Sequence, residues 1–580
     1  MVADDALCVG CRQCERTCPF TAITVDGPLA VSDRAGPGPV AAEAPTGHGE
    51  QVLTGHREQA LTGHREEVRT GFESWEQALA EASRCLKCPD PTCVRGCPAH
   101  NDIPSFISAV LGRDLVTAHE VLRRTTVLPD VCSRVCDQAA QCEGACTWSL
   151  AGGAPVAIGN LERFVADHAP VPPTARNPAG GAGLSVAVVG AGPAGIAAAW
   201  QLAEAGASVT VYEKEPGPGG LLGWGIPDFV LPAAVAARPW QQLTAAGVDL
   251  RCRVKIRPGD LDRLRTEHDA VILAHGAPLA LRLPVPGIGL GGVVDATSFL
   301  KAGRAALEDG DVAGFRESYG LPPAPGGSQT VPPRALVLGS GNTAMDVART
   351  ARRLGLRAVC LARRDERFAR GRPDELDEAR QEGVEVRFLR TLARLEGVDG
   401  RVRRAVLTPA RQSRSGQRPK PAAGDSETLA VDLVVIALGY RADPAFATAL
   451  PGTPLARQPE GLPDRRWLAS GILASPASAF AHHNPVGRLA IGREAALTAS
   501  ALPFQERLWA AGDALVGPST VAEAMAQGRR AAAAVLAARP SRGHRSHAAM
   551  TEIAGPLSSP AGVRRDQGRS GADRSSAMSR

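Results

Sequence analysis

The chain has 580 residues and a formal charge of +5, too long for one ordinary domain, so three or more units are expected. Lysine is confined to Lys87, Lys214, Lys255, Lys301 and Lys420, and the remaining positive charge is arginine scattered among alanine, glycine and proline. That pattern lacks the basic stripe of a nucleic-acid-binding protein, and no apolar stretch approaches the roughly 20 residues of a membrane helix.

The chain opens with MVADDALCVGC, without a basic n-region or an apolar h-region, so export is not expected and the location is read as cytoplasmic. In that reducing compartment fourteen cysteines are better read as metal ligands than as a disulfide framework. Residues 1–26 form a small cysteine unit. Residues 27–70 read as a Gly/Pro/Ala linker that carries the repeat TGHGEQV-LTGHREQA-LTGHREEV. Its histidines (His48, His56, His64) are eight apart and share no helix face, so a solvated linker is favoured over a metal tract.

Residues 71–168 are read as helical, with ESWEQALAEASRCL and IPSFISAVLGRDLVTAHEVL as helical segments. Eight cysteines fall here, as Cys85-x2-Cys88-x4-Cys93-x3-Cys97 and Cys132-x3-Cys136-x5-Cys142-x3-Cys146, with Cys-Pro pairs at 88–89 and 97–98. Cysteine at this density is a ligand array. A zinc site is compatible with the spacing, but iron–sulfur clusters suit an array that precedes nucleotide-binding motifs. The Pro-rich stretch 170–182 reads as a linker.

From 184 to about 540 strands and helices alternate, giving an α/β architecture. In LSVAVVGAGPAGIAAAWQLAEAGASVTVYEKE a buried strand runs into Gly190-x-Gly192-x-x-Gly195, with Pro193 and Ala194 opening a helix and Glu213 ending the second strand. Strand, turn, helix and acid stand where a dinucleotide site needs them: glycines for close approach to a pyrophosphate, an acid for ribose hydroxyls. A second fingerprint, RALVLGSGNTAMDVARTARRLGLRAVCLARRDE, carries Gly339, Gly341, Asn342, Thr343 and Ala344, and its second strand ends in Arg363-Arg364 rather than an acid. Guanidinium pairs with a 2′-phosphate, so NADPH is expected over NADH. Near the end, LWAAGDALVGPSTVAEAMAQGRRAAAAV places Gly512-Asp513 between a strand and a helix. The patch His482-His483-Asn484 is read as a surface loop, and 541–580 as a polar disordered tail.

The motifs EASRCLKCPDPTCVRGCPAHNDIPSFI, LPDVCSRVCDQAAQCEGAC, PVAIGNLERFVAD, GPGGLLGWGIPDFVLP, VLGSGNTAMDVART and AAGDALVGPSTVAEA resemble, over about residues 64–538, the small (β) subunit family of NADPH-dependent glutamate synthase. Its relatives include the large subunit of NADH-dependent ferredoxin:NADP oxidoreductase and the N-terminal half of dihydropyrimidine dehydrogenase. The resemblance implies a mostly α-helical two-cluster Fe–S domain at 71–168. A two-dinucleotide-binding, Rossmann-like flavoprotein fold follows, with an NADPH domain (286–455) inserted in an FAD domain (184–285 and 456–540).

The resemblance also implies FAD on Gly190, Gly192, Pro193, Ala194, Gly195, Glu213, Gly220, Leu221, Gly512, Asp513, Thr520 and Val521. It implies one 4Fe–4S cluster on Cys85, Cys88, Cys93 and Cys146, and another on Cys97, Cys136, Cys142 and Glu162. Cys132, which spacing alone nominates, becomes a bystander. Val230 and Ala233 replace the arginine and lysine usual after the GIP motif, and Ala274-His275-Gly276 stands where threonine commonly precedes the glycine. Residues 451–505 are longer than usual for the family.

At the N-terminus CVGCRQCERTCP (Cys8, Cys11, Cys14, Cys18) matches the bacterial ferredoxin run C-x2-C-x2-C-x3-C-P, without its partner half. A third 4Fe–4S cluster is therefore an open expectation. Taken together, these residues read as an enzyme that passes electrons from NADPH through FAD and 4Fe–4S clusters, without a catalytic triad or acid–base dyad. Its partner is a large glutamate-synthase-type subunit or a ferredoxin-like acceptor. A non-catalytic electron-transfer module is the third reading, which the intact glycines of both fingerprints oppose.

Overall fold

The computed structural model describes residues 71–170, 183–323, 331–369, 371–412, 419–449 and 507–538. The N-terminal cysteine run, the histidine repeat, most of the Pro-rich linker, residues 451–505 with the His482 patch, and the 541–580 tail lie outside the described residues.

The cysteine-bearing segment is helical: α1 (Trp75–Ser83), α2 (Thr92–Gly96), α3 (Ile103–Leu111), α4 (Leu115–Arg123), α5 (Pro129–Val135) and α6 (Ile158–His168). Ser74 and Gln77 close a capping box on α1, and Asp102 and Asp114 cap α3 and α4 through the amides of Ser105 and Thr117. These caps satisfy amide donors that a helix start otherwise leaves open. The single helical segment expected over 103–122 is two helices. The chain breaks at Gly112 and Arg113, the latter at φ 57°, and restarts on the Asp114 cap.

Two parallel sheets follow. In the first, strands β1 (Ser185–Val189), β2 (Ser208–Tyr212), β3 (Asp249–Arg251) and β4 (Ala270–Leu273) are completed by β10 (Leu508–Ala510), in the order β10-β4-β1-β2-β3. In the second, β5 (Val293–Asp295), β6 (Arg334–Leu338), β7 (Arg357–Ala362), β8 (Glu385–Phe388) and β9 (Leu433–Ile436) lie in the order β5-β9-β6-β7-β8. The central strands SVAVV, AVIL, RALVL and LVVI are almost wholly buried, as parallel strands covered on both faces must be. The second sheet is built entirely from residues between two strands of the first.

The glycine-loop helix α7 (Pro193–Glu204) follows β1, α8 (Asn342–Arg353) follows β6, and α9 (Pro373–Gln381) packs on α8. The last helix, α10 (Val521–Ala538), lies against α7. There the backbones meet so closely that a Cβ on Gly528 would stand 2.1 Å from the Ala194 carbonyl oxygen. The helical segment is not a free appendage. Val127, Leu128, Val131, Cys132 and Cys136 share one core with Val186, Ala194, Trp200 and Met525. The Arg123 guanidinium covers the Trp200 ring at 4.2 Å, and Arg238 pairs with Asp130 at 2.6 Å.

His119, 2 % exposed on α4, gives this packing a pH signature. Burial, and then the charge of Arg123, push it down to about 4, against about 6.5 for a free imidazole. As pH falls from about 6.5 toward 4, the unfolded chain gains a proton that the folded chain refuses, so stability falls across that window. We expect the urea midpoint to drop between pH 7 and pH 5, and His119→Leu to lessen the drop. An equal drop in both proteins would exclude His119 as its source.

Candidate functional site

The glycine loop of the first sheet and the start of α8, which follows the glycine loop of the second, line one cavity of ≈ 1220 Å³. On the first sheet Gly190 has φ 105°, and a Cβ there would sit 2.5 Å from the Ala274 carbonyl oxygen. Gly195 is tighter: its Cβ would stand 1.9 Å from the Gly190 carbonyl oxygen, so helix and strand meet only because glycine is present. Gly192, Pro193 and Ala194 line the cavity, as do Gly220 and Leu221 from the loop opposite. That loop is drawn in by the Gly219 amide on the Ala191 carbonyl at 2.9 Å.

Glu213 also lines the cavity, and its two carboxylate oxygens accept the amides of Ala191 and Glu215 at 2.8 and 2.9 Å. The acid expected to meet a ribose thus also braces the glycine loop. Asp513 closes the far wall with Thr520 and Val521. Burial raises Asp513 to about 6 against the pull of its hydrogen bonds from Ser519. Thr520 caps α10 reciprocally with Glu523. Gly512 does not line the cavity. Its φ of 69° and its amide bond to the Gln527 side chain set the turn that presents Asp513.

On the second sheet Gly339, at φ 142°, lies where a Cβ would strike the Ala437 carbonyl oxygen at 2.4 Å, while a Cβ on Gly341 meets nothing within 4 Å. Asn342 and Thr343 line the cavity and Ala344 is buried behind them. Arg363 and Arg364 follow the C-terminal end of β7, the first exposed and the second half-buried, outside the cavity lining.

Among the other titratable groups on this cavity, Asp346, Glu375 and His275 stand out. Asp346, one turn beyond Asn342 on α8, is held well above the carboxylate range by burial and then by Glu375. Asp346 Oδ1 and Glu375 Oε2 are buried without hydrogen-bond partners. His275 stacks on Phe446 at 4.2 Å, and burial drives it down to about 4. The i,i+4 spacing of Asn342 and Asp346 is the one sequence signal that could have placed any of them.

The eight cysteines between Cys85 and Cys146 fall into two groups. Cys85, Cys88, Cys93 and Cys146, far apart in sequence, line one small pocket with Ile103, Ile107 and Trp148. Burial, then Cys146 and Cys85, push Cys93 up to about 12. Cys97, Cys132, Cys136, Cys142 and Glu162 form the second group. Burial lifts Cys97 to about 12, with Glu162 and Cys136 adding to it, and burial lifts Glu162 to about 8. Glu162 is 8 % exposed, and its Oε1 is buried with no hydrogen-bond partner. Cys132 is buried in the same nest and hydrogen-bonds Cys136.

Among the described residues no three of His, Cys, Asp and Glu are close enough to share a single metal ion. A cluster takes its ligands one per iron, from a wider ring. The unpaired Glu162 oxygen and a nest of thiols that must lose protons to become ligands fit such a cationic guest.

The second group adjoins the cavity. Val135, beside Cys136, is part of the cavity wall, and Gln141, beside Cys142, donates to Thr520 Oγ1 at 3.2 Å. No described helix is long and apolar enough to cross a membrane.

Residues 62–171 match the family model described as dihydropyrimidine dehydrogenase domain II, 4Fe-4S cluster, and residues 184–458 match pyridine nucleotide-disulphide oxidoreductase. The chain is 33% identical to the glutamate synthase [NADPH] small chain of Escherichia coli over 79% of this chain and 91% of that one. It is 37% identical to the Azospirillum brasilense small chain over 63% and 76%. It spans 67% and 65% of the Escherichia coli oxidoreductase-type proteins UacF and AegA, at 34% and 35% identity. Among solved structures, Mycobacterium tuberculosis FprA in complex with NADPH gives a TM-score of 0.43 at 20% identity, over 61% of this chain and 84% of that one.

Proposed function

The chain belongs to the glutamate synthase NADPH small-chain family, and we propose that this NADPH-dependent FAD and iron–sulfur oxidoreductase delivers its electrons to a large glutamate-synthase-type subunit. The route is supported by one cavity whose lining includes Asn342 and Thr343 at the start of α8, Gly190 and Gly192 of the first glycine loop, and Val135 beside Cys136. FAD, when bound, links the two-electron chemistry of NADPH to the one-electron chemistry of 4Fe–4S clusters.

The residues supply position and field. Residues 184–285 with 456–540 serve as the FAD unit and 286–455 as the NADPH unit. Gly190, Gly192, Pro193, Ala194 and Gly195 let backbone amides approach a pyrophosphate, and Glu213 holds their loop in shape. Gly220 and Leu221 cover the opposite side, while Gly512, Asp513, Thr520 and Val521 present an acid and a helix start. Gly339, Gly341, Asn342, Thr343 and Ala344 cradle NADPH, and Arg363 and Arg364 select its 2′-phosphate. Cys97, Cys136, Cys142 and Glu162 hold the cluster beside the cavity, and Cys85, Cys88, Cys93 and Cys146 hold the other.

The run Cys8, Cys11, Cys14 and Cys18 favours a second reading in which a ferredoxin-like carrier is the partner. The two separate in the native complex isolated anaerobically. Glutamine- and 2-oxoglutarate-dependent NADPH oxidation supports the first, whereas rapid reduction of added ferredoxin without it supports the second. For the nucleotide, we expect Arg363→Ala with Arg364→Ala to raise KM for NADPH at least tenfold, about 1.4 kcal/mol, and to leave KM for NADH in place. Equal changes for both nucleotides would remove the arginines from 2′-phosphate selection.

A further inference from the structure

Arg372 is the N-cap of α9, on the nucleotide unit, yet its side chain is buried against the cysteine domain at 3 % exposure. Its backbone belongs to the second fingerprint: the Arg372 amide donates to Asn342 Oδ1 at 2.8 Å, and the preceding Gly371 amide to the Ser340 carbonyl at 3.1 Å. Its guanidinium belongs to the second cysteine group. Nη1 donates to the carbonyls of Arg134 and Cys136 at 3.1 and 3.0 Å, and Nη2 pairs with Glu375. Nε makes no hydrogen bond and lies 3.8 Å from Asp374 Oδ1.

A guanidinium stays charged at any working pH, and a buried charge without full pairing is costly. Glu375 and the more distant Asp374 face Nη2 and Nε, while Nη1 lies on two neutral carbonyls, one of them belonging to Cys136. A cluster held by three thiolates and a carboxylate is anionic, and reduction makes it more so. A fixed positive charge at the ligand loop therefore favours the reduced form, since net charge and hydrogen bonding are what set a cluster's potential.

We propose that Arg372 is a positioning residue through which the nucleotide unit fixes the Cys136 turn and raises the reduction potential of the cluster beside the cavity. The nucleotide unit thus contributes a charge to the cluster as well as holding the reductant. This rests on the ligand assignment given above for Cys136, and the test keeps the two apart. EPR-monitored redox titration of the purified holoprotein reads both cluster potentials.

In Arg372→Gln the potential of one cluster is expected to fall by at least a tenfold change in its reduction equilibrium, 59 mV for one electron, while the other stays in place. Arg372→Lys, which keeps the charge, should restore most of it. An unchanged potential in Arg372→Gln, or an equal fall in both clusters, overturns the proposal. Cys136→Ser separates the premise. Loss of one cluster signal in that variant supports the ligand assignment whatever Arg372→Gln does, and retention of both sinks the assignment and the proposal together.

Discussion

Glu162→Ala is expected to yield a protein with one 4Fe–4S centre in place of two, while Cys132→Ala should keep both. Spacing alone argues the reverse, because Cys132-x3-Cys136 mirrors the Cys93-x3-Cys97 step. What sets Glu162 apart is a buried carboxyl oxygen with no hydrogen-bond donor. The Glu162 carboxyl is buried, raised to about 8, with Asp130 and Glu143 as its charged neighbours, and its Oε1 accepts nothing. An unsatisfied buried acceptor costs about 1–3 kcal/mol, so removing it should not unfold the apoprotein. Iron content and the EPR signals would fall while the thermal midpoint of the apoprotein holds. Two centres in Glu162→Ala and one in Cys132→Ala would exchange their roles.

Gly195→Val is expected to abolish FAD binding. The new side chain must occupy space 1.9 Å from the Gly190 carbonyl oxygen, and that neighbour is backbone just past β1, tied to the Tyr212 carbonyl through the Gly190 amide at 2.8 Å. Either α7 moves off β1 or the glycine loop is pushed into the cavity, and both destroy the cradle. The protein should purify without flavin absorbance, and added FAD should no longer raise its thermal midpoint. Gly341→Ala is the contrasting change. Its Cβ meets nothing within 4 Å, so the fold and the FAD content should be unaffected while NADPH binding weakens. Normal flavin content in Gly195→Val would show that this close approach does not form the cofactor site.

Both fingerprints and the α/β class were legible because their glycine requirements are local: a strand, a tight turn and a helix within some thirty residues. The groupings of cysteines were legible only through resemblance. Cys146 reaches the pocket of Cys85, Cys88 and Cys93 by way of the intervening helices, and no spacing rule carries a side chain across them. The break between α3 and α4 was readable in Gly112 and the Asp114 cap, but the apolar periodicity on either side masked it. Asp346 and Glu375 escaped notice because a buried acid is defined by what packs around it, and His275 was visible only as a departure from the family's threonine. Arg372 sits in an arginine-rich chain, and nothing in its local sequence distinguishes it from the many exposed arginines. The N-terminal cysteines and residues 451–505 fall outside the described residues.

One chain is expected to carry electrons from NADPH to its own clusters. Anaerobic mixing of the holoprotein with NADPH, followed by rapid-freeze EPR, tests it most directly. The account predicts loss of oxidised-flavin absorbance and then a reduced 4Fe–4S signal, in the absence of any other protein, with that signal missing in Cys136→Ser. Full loss of the flavin absorbance with both clusters left oxidised, although dithionite reduces them, would contradict it.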